Sequence, residues 1–525
     1  MLFFCSAGAC ATDAGRNIAF VPLDNRPACL DYTQRIARIA GLELRVPPYS
    51  AIGAYVFPGD PAGLRRWLDS IDSPDYLIVS LDMLVYGGLV SSRLDRISET
   101  EALENLEYLG GFAARNPRTK IFAFGTIQRI ARTSTGVPEQ DAVTGIMAEF
   151  FKTADEAKVT GNRALEVAAK AMRKRIPGDA FESYLAARRR NHKINTKSVA
   201  LLENGAIDYL VLGMDDNAEY GPHRRERDAL TRMASEPGME GRILIKPGAD
   251  EVAHLLLARA INDLNGLNPV FDVRYYPDGA GDWVPPLEDR PLSESVPQSL
   301  EAAGIKAARG GGDAVLMVYG KSVGGESAAD MLAEDAAGLV SRGVAVGVAD
   351  VLYVNRSDPA LVERLVEKTE IARLAAYSGW NTSGNALGTC IGQMAAFNAF
   401  RNNRAAGREK TRAALAAQVE FLSQRFFDEY FYMAVLRPGI ESGLAAAGQA
   451  PNRISGEHYN AFKSSMASLL KSEFEDFYDR HFRNIDFTGP GGNRFRAGAL
   501  NTAILVPWFR TFEVEIDVDV EMDDH

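Results

Sequence analysis

Cysteine is scarce in this chain of 525 residues: there are four, at positions 5, 10, 29 and 390, and no CxxC spacing. That excludes a disulfide framework and a cysteine-ligated zinc site. Histidine is scarce too, with six residues and no HxH or HExxH arrangement, which argues against a histidine-rich metal centre. No apolar run approaches the roughly 20 residues that a transmembrane helix needs. Positive charge is outweighed, 58 Lys and Arg against 69 Asp and Glu, for a net charge of −11. A general binder of nucleic acid or of anionic membranes needs the opposite balance. Neither a GxGxxG fingerprint nor a phosphate-binding lysine loop follows the first strand-like run, which disfavours a nucleotide enzyme. The expectation is therefore no cofactor and no resident metal, with a small molecule or an oligosaccharide as the partner.

What is present is ordinary globular material, 46% apolar and 24% charged, in a length that predicts two or three domains. Met1 to Ala11 is small and apolar and ends in Ala9-Cys10-Ala11, which fits an A-x-A cleavage site. Residues 1–15 are thus expected to be a signal segment truncated at its front. The corresponding location is periplasmic or secreted, and otherwise cytoplasmic.

Short β-rich runs alternate with amphipathic stretches for most of the chain. The expected strands are Ile18–Leu23, Leu42–Val46, Tyr76–Leu81, Lys120–Phe124, Tyr209–Gly213, Arg242–Lys246, Val270–Tyr275, Ala314–Tyr319, Val344–Val348 and Leu374–Tyr377. Most are continuously apolar, as parallel strands covered on both faces are. The class is α/β, built from right-handed βαβ units. These strands are too many for one eight-stranded barrel, so two α/β lobes are expected, an elaborated barrel being the competing architecture. An internal similarity supports two lobes. PLDNRP (22–27) and PLEDRP (286–291) each lead into a helical stretch, and each is followed by an apolar strand with Tyr-Gly close behind, at Tyr86 and Tyr319. The expected division is a first lobe at 16–265 with a helical insertion at 131–204, a second lobe at 266–400, and a helical region at 401–525 ending in a β-hairpin. The triplet Arg188-Arg189-Arg190 in the insertion reads as a solvated helix face.

Ligands of parallel sheets and barrels bind beyond the carboxyl ends of the strands. Polar residues crowd those positions: Asp24, Asn25 and Arg26 after the first strand, Asp82, Tyr86 and Arg93 after the third, and Gln128 after the fourth. Asp215, Asp216 and Tyr220 follow the fifth, Lys246, Asp250 and Glu251 the sixth, and Trp380, Asn381 and Asn385 the last. Asp24 and Asp250 have a structural alternative as helix N-caps. Trp380 is expected to face a cleft, because a polar, glycine-containing loop flanks it. The Asp215-Asp216 pair stands out. Two adjacent carboxylates push one pKa upward unless cations intervene, and a raised pKa beside an ionised neighbour suits acid–base catalysis.

With PLDNRP (22–27), DMLVYGGLVSSR (82–93), DDNAEYG (215–221), KPGADE (246–251), EDRPL (288–292) and YSGWNTSGNALG (377–388) in place, the chain resembles an uncharacterised bacterial family catalogued as domain of unknown function 4127. That resemblance implies a bacterial protein and no particular activity. The paired aspartates and the later Trp-Asn loop also look like the site of O-GlcNAcase-type β-N-acetylglucosaminidases. Their arrangement would imply that Asp215 orients an acetamido group and Asp216 is the acid and base, with Tyr220, Lys246, Trp380 and Asn381 lining the sugar.

The leading expectation is a hydrolase acting on carbohydrate. The alternatives are a metal-dependent hydrolase of phosphate or amide bonds, with Asp24, Asp82, Asp215, Asp216 and Asp250 as oxygen ligands, and a non-catalytic protein whose two lobes close on a solute.

Overall fold

Continuous burial, rather than alternation, marks the central strands. The computed structural model describes residues 17–130, 141–215, 217–325 and 328–525. The expected signal segment and Asp216 therefore lie outside the described residues. Six strands, β1 (Ile18–Val21), β2 (Leu44–Arg45), β3 (Tyr76–Ser80), β4 (Lys120–Ile127), β5 (Tyr209–Met214) and β6 (Ile243–Pro247), form one parallel sheet in the order β2-β1-β3-β4-β5-β6. Every residue of β1, β3 and β5 is buried, as helices on both faces require. A second parallel sheet has the order β8-β7-β9-β10-β11. It contains β7 (Val270–Tyr276), β8 (Lys306–Ala308), β9 (Ala314–Tyr319), β10 (Val346–Asp350) and β11 (Ala376–Ser378). All the expected strands are there. The addition is β8, three residues long and with two of them exposed, too short to leave a run.

Both sheets place their first strand between the second and the third. Ile18 of β1 pairs with Leu44 on one side and Tyr76 on the other. Phe271 of β7 likewise lies between Ala307 and Ala314. Successive connections leave such a strand in opposite directions, which opens a crevice beyond its carboxyl end. PLDNRP follows β1 and PLEDRP follows β7, so the two similar hexapeptides occupy the same topological position. Two open sheets replace the competing barrel, and the likeness to the barrel glucosaminidases does not extend to the fold.

The sheets are knit through shared helices. On the helix Val252–Leu264, Ala253, Leu256, Leu257 and Ala260 enter the core of the first sheet. Leu255 and Ala258, on another face, enter the core of the second. The 3.6-residue period separates the two sets. The helix Ser383–Asn402 is buried almost to its end and also serves both cores. After it come the helix Arg408–Phe426, a ten-residue π-helix at Phe427–Leu436, and the helix Gly456–His481. The expected terminal hairpin is β13 (Arg494–Leu505) with β14 (Glu515–Asp524), extended by β12 (Asp486–Thr488) to three antiparallel strands. No helix among the described residues is long and apolar enough to cross a membrane.

The insertion between β4 and β5 holds helices Thr144–Thr160, Arg163–Arg173 and Gly178–Glu203. Its arginine triplet is not a solvated face. Arg188 is buried and donates to both oxygens of Glu226 at 2.6 and 2.8 Å. Arg190 is buried over the ring of Tyr86 and donates to the carbonyls of Ser92 and Ile97. Only Arg189 is exposed. Partners distant in sequence satisfy the other two, and a charge pattern read locally does not contain them.

Candidate functional site

Where the chain leaves β1, Arg26 turns back beneath the strand end. Its Nε donates to both oxygens of Asp24 at 3.0 Å, and its Nη1 and Nη2 donate to Asp250 at 3.0 and 2.6 Å. The planar guanidinium thus holds two carboxylates at once, a geometry that lysine lacks. Asp250 follows β6 and also accepts from Asn381 Nδ2 at 3.4 Å, in the loop after β11. Motifs from residues 24, 250 and 381 therefore meet at one point, where the carboxyl ends of both sheets face each other. The helix-cap alternative fails for both aspartates, because the helices at Asp31–Ile39 and Val252–Leu264 have no side-chain N-cap bond. Asn25 is fixed as well: it donates to the Tyr49 hydroxyl at 2.5 Å and accepts from Trp508 Nε1 at 2.9 Å.

Lys246 and Glu251 form a wholly buried pair, with Nζ to Oε1 at 2.5 Å, and Nζ also donates to the carbonyl of Pro247. The expected sugar-lining role of Lys246 does not match this, since burial and two local acceptors take up its ammonium. Glu251 reaches its place only because Gly388 carries no side chain: a Cβ there would stand 2.2 Å from Glu251 Cγ. Gly388→Ala is expected to destabilise the protein by about 1–3 kcal/mol, the usual cost of overpacking. Urea denaturation checks this, and an unchanged midpoint would contradict the contact.

Facing this pair is Glu288, the glutamate of PLEDRP. Its Oε1 accepts from Ser383 Oγ at 2.7 Å and from the Gly384 N–H at 3.1 Å. Its Oε2 is buried without a hydrogen-bond partner among the described residues. Burial pushes the carboxyl up to about 7 against those bonds and the nearby Lys246 ammonium. Asn385, one residue on, is buried in the first turn of the helix Ser383–Asn402.

Asp215 is the first residue beyond β5. Arg93 Nη2 and Arg129 Nε both contact its Oδ2. Burial opposes ionisation there, yet Arg93 and Arg129 outweigh it and hold the carboxyl below the usual range. The upward shift expected of adjacent aspartates is absent at Asp215 because cations intervene. Nearby, Asp82 accepts from the N–H and Oγ1 of Thr126 at 2.9 and 2.8 Å, and burial raises it to about 6. Gln128 accepts from Asn191 at 3.0 Å, and Tyr86 lies beneath Arg190. Tyr220 faces Arg224, 5.6 Å over its ring. Asn217, two residues past Asp215, donates to the carbonyl of Leu287 at 3.3 Å. That bond joins the segment of Asp215 to the segment of Glu288.

Trp380 does not open onto a wide cleft. It is 6% exposed, its Nε1 donates to Thr389 Oγ1 at 3.0 Å, and it packs edge-on to Tyr32. With Arg26, Tyr32 and Asp428 it lines a narrow pocket. Asp428 accepts from the Tyr32 hydroxyl at 2.6 Å, and Arg425 lies 3.6 Å over the Tyr32 ring. Glu429 accepts from Arg425 at 2.6 Å and from the Gly379 N–H, and burial raises it to about 8. Glu288, Asp428, Glu429 and Trp508 all escape a reading by strand ends. Glu288 alone had a signal: it holds the place in PLEDRP that Asp24 holds in PLDNRP.

The arrangement offers an ionised carboxylate and a protonatable one on touching segments, a pairing suited to acid–base chemistry. Both histidines near the motifs are occupied with backbone carbonyls, His223 with Ala218 and His254 with Ala28. Among the described residues, no three His, Cys, Asp or Glu side chains are grouped to hold a metal ion. A family model described as a protein of unknown function (DUF4127) matches residues 18–517, essentially the whole chain. Comparison with curated proteins finds no match.

Proposed function

We propose that this chain, which belongs to the DUF4127 family, is a hydrolase that acts on carbohydrate by acid–base chemistry between Asp215 and Glu288. The observation that carries the reading is the opposite tuning of the two groups. Arg93 and Arg129 keep Asp215 ionised, whereas burial leaves Glu288 protonated up to about pH 7. Environments that drive two carboxyls apart in this way assign one as the charged partner and the other as the proton donor. Glu288 accepts both of its hydrogen bonds at Oε1, so its proton is carried on Oε2, which is buried and has no hydrogen-bond partner among the described residues. Asn381, which is half-buried, supplies an amide suited to sugar hydroxyls. Asp216, the acid implied by the glucosaminidase likeness, competes with Glu288 for the donor role. The reading includes export to the periplasm, on the small apolar residues that end in Ala9-Cys10-Ala11.

A panel of aryl glycosides tests it. Turnover of at least one sugar is expected, with kcat lowered about 10²–10⁴-fold in Asp215→Asn and in Glu288→Gln, the range for loss of a general acid or base. The basic limb of the pH profile, near 7, should disappear in Glu288→Gln. If Asp216→Asn removes that limb and Glu288→Gln keeps it, the donor is Asp216. No turnover on any sugar, or full activity in both the Asp215 and Glu288 variants, ends the reading.

A further inference from the structure

Beside the Arg26 cluster, two loops far apart in sequence bring their aromatic residues together. The segment between β2 and the helix Pro61–Asp69 carries Tyr49, Tyr55 and Phe57, and the loop between β13 and β14 carries Trp508 and Phe509. Asn25 joins them, since it donates to the Tyr49 hydroxyl and accepts from Trp508. The Tyr55 and Trp508 rings pack at 4.8 Å, and the Arg510 guanidinium lies 4.6 Å over Trp508.

Part of this cluster belongs to no core. Tyr49 is 60% exposed, Phe57 63% and Phe509 44%. The first loop is also pinned in place. Asn25 N–H donates to the Gly53 carbonyl, Gly59 N–H donates to the Gly87 carbonyl, and Ala54 and Phe57 bond each other through both backbone groups at 2.9 Å. A Cβ on Gly53 would stand 2.0 Å from the Gly87 oxygen, so the loop sits directly on the backbone after β3. Exposed aromatic rings held on a fixed support and interleaved with amide, hydroxyl and guanidinium groups form a surface of mixed character. The faces take C–H groups and the edges take hydroxyls.

We infer that Tyr49, Phe57 and Phe509, built onto the Tyr55–Trp508–Asn25 support, form a platform that binds the sugar units of a neutral glycan chain beyond those at the strand ends. A pyranose fits this surface on both counts, with its C–H face on a ring and its hydroxyls at the exposed Tyr49 hydroxyl and the half-buried Arg510 guanidinium. A nucleic acid does not, given the net charge of −11. The platform is continuous with the Asn25–Arg26 turn, so a chain lying on it would run directly into the site. This rests on the carbohydrate reading and narrows it: the substrate is an oligosaccharide or polysaccharide rather than a single sugar.

The test uses the full-length protein with Asp215→Asn, which holds ligand without turnover. Calorimetric titration with graded neutral oligomers of glucose, mannose and N-acetylglucosamine, from one to six units, measures affinity against chain length. For at least one series the affinity is expected to rise with length, and Tyr49→Ala or Phe57→Ala should each remove about threefold to tenfold of the gain, the worth of one aromatic contact. Phe57 is exposed, so Phe57→Ala should melt as the unsubstituted protein does, whereas Tyr49→Ala also frees the Asn25 amide; Tyr49→Phe, which loses that bond and keeps the ring, should retain the gain. Affinity independent of length, or a gain that survives both substitutions, overturns the platform even where hydrolysis is seen. Length-dependent binding lost in these variants, without turnover by the unsubstituted protein, upholds the platform and removes the hydrolase.

Discussion

Arg26→Met is expected to cost about 3–5 kcal/mol of folding stability, the scale seen when one member of a buried ion pair is removed. Asp24 and Asp250 are 4% and 7% exposed, and each depends on the same guanidinium for two hydrogen bonds or more. Without it, two carboxylates face each other in a site that water hardly reaches. The loss should arise from the orphaned charges rather than from missing packing, since methionine fills much of the volume. Combining Arg26→Met with Asp24→Asn and Asp250→Asn should therefore recover most of it, a non-additive result diagnostic of a coupled network. Urea denaturation of the single and triple variants measures both effects. A single-variant loss below about 1 kcal/mol would place the cluster among the weak surface ion pairs and remove it as the clamp between the ends of β1 and β6.

The second large effect is on pH dependence, and its direction is the reverse of ordinary acid denaturation. Burial raises Glu429 to about 8, Asp350 and Glu288 to about 7, and Asp82 to about 6. In the unfolded chain such carboxyls titrate near 4. Between those limits the native protein carries more protons than the unfolded one, so raising the pH favours unfolding. The stabilisation is complete below about pH 4 and is lost as the pH climbs through the folded values, from about 6 to about 8. Each fully titrating group contributes a slope of up to about 1.4 kcal/mol per pH unit. Carboxyls that arginines hold low, Asp215 and Asp289, act oppositely, and their contribution is lost only in strong acid. Melting temperature should accordingly fall from pH 5 to pH 8, and refolding near pH 6.5 should take up protons from the buffer. Glu429→Gln should flatten the upper part of that fall. A melting temperature that is level or rises over this interval would show that these carboxyls are ionised in the native protein.

The strands of this fold were legible because parallel strands covered on both faces are written as unbroken apolar runs; Tyr209–Met214 is the clearest. What stayed hidden was hidden for physical reasons. β8 contributes too few residues to form a run, and β12 is held by its pairing with β13 more than by its own composition. Arg190 looked solvated because its acceptors, Ser92 and Ile97, lie nearly a hundred residues away. The site was legible as a set of strand-end motifs, and the structure brings residues 24–26, 246–251, 288 and 381 together. Their individual roles were not legible. Lys246 and Trp380 look available in the sequence and are enclosed in the fold, while Glu429 has a raised pKa because the π-helix carries its carboxyl into the core, where burial outweighs the hydrogen bonds from Arg425 and the Gly379 N–H.

The helix Val252–Leu264 packs one face on each sheet, and Asp250, just before it, is tied to Arg26 and Asn381. Jaws that swing shut on a solute need a pivot of a few lightly packed residues. Here the place of a pivot is taken by a buried beam common to both walls, braced at its head. The strand ends of the two sheets are accordingly held at a fixed spacing. A ligand that binds there must match that spacing on arrival, so selection falls on the shape of the ligand rather than on the motion of the protein.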